Sequence, residues 1–90
     1  MTTHLEPRRE LVEVEIPAHG DWVSFWADGK RYTVAGDEPG VWTLLRHRKK
    51  AATAVATFAE TDGWFVEVAP DGTAVGNPAP SWRAFVLRYV

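Results

Sequence analysis

The chain has no cysteine. Disulfides, thiolate nucleophiles and Cys-based zinc sites are excluded together, and a reducing, cytoplasmic setting is expected. Serine is nearly absent as well, with only Ser24 and Ser81. Ser24 lies inside an aromatic run and Ser81 follows a proline as a helix cap would, so a Ser-His-Asp triad finds no nucleophile here. Each of the seven glycines stands alone, which excludes a glycine-rich phosphate loop. Long apolar runs are missing too. The opening MTTHLEPRRE has none, so neither a secretory signal nor a membrane span is expected there. Little Ile, Asn and Gln beside abundant Ala, Val, Arg and Gly suggests a GC-rich bacterial or phage origin.

What is present is aromatic. Five Trp, four Phe and two Tyr occur in 90 residues. A chain this short forms one domain and buries only about 60–65% of its unfolded surface, so a few large side chains must supply the core. Residues 1–9 read as a polar tail and 10–90 as a single globular domain. Net charge is -2, but residues 1–40 carry eight acidic and four basic side chains, and residues 41–90 carry four and six. The charge asymmetry could place opposite signs on two faces of the fold.

Turn residues divide most of the chain into short strands. LVEVEI (Leu11 to Ile16) alternates apolar and acidic residues, as a half-exposed strand does. Asp28-Gly29 joins WVSFWA to KRYTVA, the dipeptide that a tight type I′ hairpin turn requires. Asp71-Gly72, between WFVEVA and TAV, reads the same way, and Asp62-Gly63 is a further turn or helix stop. Trp22, Ser24 and Trp26 alternate with Val23, Phe25 and Ala27. That strand is apolar on both faces, so it is expected to be central, with Trp22 or Trp26 in the core.

Val41 to Glu60 reads as a helix. Leu44, Leu45, Ala51, Ala52, Val55, Phe58 and Ala59 share one helical face, and no turn residue stands near Lys49. Asp37 would be its N-cap. The β-branched Thr43, Thr53, Val55 and Thr57 argue the other way. At the C-terminus, Trp82, Phe85, Val86 and Tyr89 have i, i+3, i+4, i+7 spacing behind a Ser81 cap. The expected class is therefore α+β: an antiparallel sheet of about five strands, one long central helix and a short C-terminal helix. The alternative is an all-β meander or small barrel. GDEPGVW (Gly36 to Trp42) and GNPAPSW (Gly76 to Trp82) are similar enough to suggest a duplicated hairpin-helix unit.

Chemistry is hard to place on this chain. His19 and Asp21 form an H-x-D pair in a turn, with His4 and His47 remote in sequence, short of the convergent ligands zinc needs. Glu13 and Glu15 share a strand face and are better read as solvated than as a glycosidase pair. No enzyme activity, metal or cofactor is expected. The leading expectation is a non-catalytic interaction module that binds a protein, or itself, through the aromatic residues Trp22, Trp26 and Tyr32. The alternative is weak nucleic-acid binding by Arg46, Arg48, Lys49 and Lys50, with Trp42 stacking on a base. No membrane role is expected.

Overall fold

A computed structural model describes residues 15–90. The expected tail at residues 1–9 and all but the last two residues of the Leu11–Ile16 strand lie outside the described residues. Glu15 to Ala18 are irregular. The described chain forms six strands, β1 (Trp22–Ala27), β2 (Lys30–Glu38), β3 (Val41–His47), β4 (Ala52–Thr61), β5 (Trp64–Val68) and β6 (Ala74–Ala79). One short helix follows, α1 (Trp82–Val86). The strands make a single antiparallel sheet in the order β1-β2-β3-β4-β5-β6, a meander in which every neighbour in sequence is a neighbour in space.

Local chemistry explains the tight turns. Asp28 and Gly29 both have positive φ (54° and 75°), as do Asp62 and Gly63 (52° and 82°). This is the two-residue turn whose twist suits an antiparallel hairpin. It sets the registers Ala27 opposite Lys30 and Thr61 opposite Trp64.

The long central helix is not there: Val41 to Glu60 is the β3–β4 hairpin. Its connection is longer than two residues and closes with Arg48 N donating to Ala51 O at 2.9 Å. No residue from Arg48 to Ala51 has positive φ, so this turn makes no demand for Gly, Asn or Asp, and their absence carried no information. The apparent helical spacing also has a cause. A bulge lets Leu44 face Ala56 while Leu45 faces Ala54, leaving Val55 as an extra residue. That residue shifts the phase of β4, and the broken alternation imitates a period of 3.6.

The duplication fails for a related reason. Gly36 to Trp42 runs from β2 across Pro39-Gly40 into β3, whereas Gly76 to Trp82 ends β6 and enters α1. The α+β description and the five-strand count give way to a six-stranded sheet with one short helix.

The C-terminal helix forms as its spacing implies. Ser81 Oγ accepts from Ala84 N at 3.1 Å, and Trp82, Phe85 and Val86 are buried. They meet one face of the sheet, which carries Phe25, Tyr32, Val34, Trp42, Leu44, Phe58 and Phe65. Phe58 sits at the centre, with ring centroids of Trp42, Phe65 and Phe85 at 5.7, 6.2 and 4.5 Å. Trp42 also donates from Nε1 to Pro17 O at 2.8 Å, tying the segment before β1 to the core. That segment crosses β2 at Gly36, where a Cβ would lie 2.3 Å from Ala18 O. Only glycine permits the approach.

Candidate functional site

Strand alternation sends every second side chain to the face opposite the core. This second, open face carries Trp22, Ser24 and Trp26 from β1 and Arg31, Thr33 and Ala35 from β2. It continues with Thr43, Leu45 and His47 from β3 and Thr57 and Ala59 from β4. Trp64 and Val66 of β5 extend it. Trp22 is 68% exposed, Trp26 54% and Trp64 52%. The expectation that Trp22 or Trp26 lies in the core is therefore corrected. The C-terminal helix packs on the other face of the sheet, so among the described residues no second layer covers this one.

The middle of this face is built from small and hydroxyl-bearing residues. Ser24 Oγ and Thr33 Oγ1 are 2.7 Å apart, and Thr33 Oγ1 lies 2.7 Å from His47 Nε2. With Nε2 unprotonated, Thr33 donates to His47 and accepts from Ser24; in the other tautomer the chain runs in reverse. Trp22, Arg31 and Leu45 join these three residues around a shallow depression of about 370 Å³. A second depression, about 830 Å³, is floored by Val41, Thr57, Ala59 and Val68, with Asp37 and Glu38 on its rim. Thr43 there donates to the Asp37 carboxylate and lies 3.3 Å from the Thr57 hydroxyl. The face thus offers exposed indoles beside a row of fixed hydroxyls.

The other candidate residues are distributed differently. Tyr32 is buried (5% exposed) on the core face, stacked on Phe25 with centroids 5.6 Å apart. It does not join Trp22 and Trp26. Trp42 is also buried (8% exposed), so its ring is not placed to stack on a base. The basic run is divided by the pleat. Arg46 points to the core face beside Tyr32, where its Nε is buried with no hydrogen-bond partner among the described residues. His47 points to the open face, while Arg48, Lys49 and Lys50 are exposed in the β3–β4 turn. His19 and Asp21 are exposed in the turn before β1. No cluster of three or more His, Asp or Glu suited to a metal occurs among the described residues. Nor does any described helix have the length and apolarity to cross a membrane.

The meander also sorts charge by sheet end, a feature that halving the sequence did not reveal. The β1–β2, β3–β4 and β5–β6 turns lie at one end, bringing Lys30 and Arg31 to the same end as Arg48, Lys49 and Lys50, five cations against the two acidic residues Asp28 and Asp71. The opposite end collects Asp21, Asp37, Glu38, Glu60 and Asp62.

The Ser24–Thr33 pairing was available from the Asp28-Gly29 turn, whose register places these residues opposite one another. His47 could be added only once β3 was known to pair with β2. Comparison with known protein families, with characterised proteins and with solved structures finds no match for this chain.

Proposed function

We propose that this protein is a non-catalytic interaction module, acting in the cytoplasm, that docks a protein partner on the open face of its sheet. One observation carries the reading. All three strongly exposed tryptophans, Trp22, Trp26 and Trp64, belong to the face opposite the core. Exposed tryptophan costs solubility, and such residues anchor interfaces because a rigid ring buries much area for little lost entropy. The half-buried hydroxyls of Ser24 and Thr57 supply polar contacts that orient what is bound, with buried Thr33 holding Ser24 in place.

A second reading draws on the gathering of Lys30 and Arg31 beside the Arg48–Lys50 turn, which widens the cationic edge available to a phosphate backbone. Against it stand the burial of Trp42 and the acidic opposite end.

One experiment separates the two. The immobilised chain is exposed to nuclease-treated lysate of its source, beside a Trp22→Ser variant, and is titrated with purified single- and double-stranded oligonucleotides. Retention of protein by the wild type and its loss in the variant is the expected result. Micromolar oligonucleotide binding at physiological salt, weakened by Lys49→Ala with Lys50→Ala and unaffected by Trp22→Ser, refutes the protein-docking function.

A further inference from the structure

We infer that the partner of the open face is a second copy of this chain, packed face to face with its strands reversed. The inference rests on the reading of that face as a docking surface. It adds an occupant, identified by charge and symmetry.

The cationic and acidic ends of the sheet are complementary to each other, so the chain carries both halves of a pair. A two-fold axis between two stacked sheets can run along the strands or across them. Along the strands, it would set like ends together. Across the strands, it lays each strand over its own copy in reverse, and the basic end of one protomer covers the acidic end of the other. This is an isologous contact, in which one patch recognises itself.

The consequences can be read strand by strand. On β2, Arg31 sits near one end and Asp37 and Glu38 near the other. Reversal therefore brings Arg31 over Asp37 and Glu38 of the partner subunit, twice per dimer. The exposed Arg48–Lys50 turn falls over the β4–β5 end, with the turn residue Asp62 of the partner subunit. The same axis passes level with Val34 and its β1 neighbour Val23, so Trp22, opposite Ala35, falls over Ser24 of the partner subunit, opposite Thr33. Trp22 then packs at one side of the interface and ion pairs close both ends.

Size is compatible with a reversible dimer. Six strands at ~4.8 Å spacing, with roughly six residues of ~3.3 Å each, present about 600 Å² per copy. That is somewhat below the ~800 Å² per partner of a standard stable interface, the size range of weak or transient contacts. The net charge of -2 offers little resistance to self-association.

The test is sedimentation velocity with light scattering across about 1 to 300 µM, a range that brackets micromolar dissociation. The wild type should dimerise reversibly, more weakly at high ionic strength. Arg31→Glu alone and Glu38→Arg alone should each weaken the dimer by about tenfold or more, because each sets like charges in contact twice. Mixing the two variants should restore association, since each then meets the opposite sign at both contacts. Circular dichroism of each variant confirms that the fold is retained. A chain that stays monomeric throughout, or a dimer indifferent to both reversals and not rescued by mixing, overturns the proposal. A monomer that still retains another protein through Trp22 overturns only the dimer. A monomer that retains nothing also removes the docking face on which the inference depends.

Discussion

Two tryptophans on opposite faces of the sheet, Trp22 of β1 and Trp42 of β3, provide a sharp contrast in stability. Trp42 is 8% exposed and Trp22 is 68% exposed. Taking about 250 Å² for a tryptophan side chain, Trp42 buries roughly 230 Å² and Trp22 roughly 80 Å². At ~25 cal/mol per Å² the upper bounds are about 6 and about 2 kcal/mol. Alanine recovers part of either, and large-to-small replacements at buried aromatic positions cost about 3–5 kcal/mol. Trp42→Ala also strands the Pro17 carbonyl that accepts from Nε1 and leaves a void against Phe58 and Phe65. It should therefore cost at least about 3 kcal/mol, whereas Trp22→Ala should cost less than about 1 kcal/mol. For a domain of this size each kcal/mol moves Tm by about 4–8 °C, so the gap is measurable by far-UV circular dichroism. If Trp42→Ala fails to fold, Trp42→Phe keeps a ring, loses the hydrogen bond and should cost about 1–2 kcal/mol. Equal losses from Trp22→Ala and Trp42→Ala would show that the two faces of the sheet have been assigned wrongly.

Two further tests probe particular contacts. Gly36→Ala would put a Cβ 2.3 Å from Ala18 O and 2.9 Å from Ala18 C, both backbone atoms. It should cost about 1–3 kcal/mol and deprotect the Gly20 amide in hydrogen exchange, since Gly20 N donates to Gly36 O; a neutral substitution would refute the crossing. The Tyr89 hydroxyl donates to the Glu67 carboxylate, and this bond holds its pKa above the usual phenol value. A raised folded-state pKa gives stability that is full below the unfolded value near 10 and lost as pH rises through the folded one. The wild type should therefore weaken under alkali more steeply than Tyr89→Phe in urea titrations, and parallel pH profiles would exclude the contact.

Much of the fold was written locally. The Asp28-Gly29 and Asp62-Gly63 turns follow from residues that accept positive φ, and Ser81 caps a helix whose apolar spacing had marked it. These features need only a few adjacent residues to agree. The β3–β4 hairpin was not legible. Its turn requires no special residue, and the bulge at Val55 disguised the alternation, so pairing with β2 and β5 decided between strand and helix. The same limit applied to the candidate site. Sequence named Trp22 and Trp26 as aromatic candidates, and the Asp28-Gly29 register alone would place Ser24 opposite Thr33. Whether a strand's second apolar face is covered depends on whether another layer packs on it, and among the described residues the C-terminal helix covers only the other face, which leaves Trp22 and Trp64 exposed while Trp42 and Tyr32 are buried. Adding His47 to the hydroxyl pair, and separating the charges by sheet end, required the complete meander, because only long-range pairing brings side chains from different hairpins to one face or one edge.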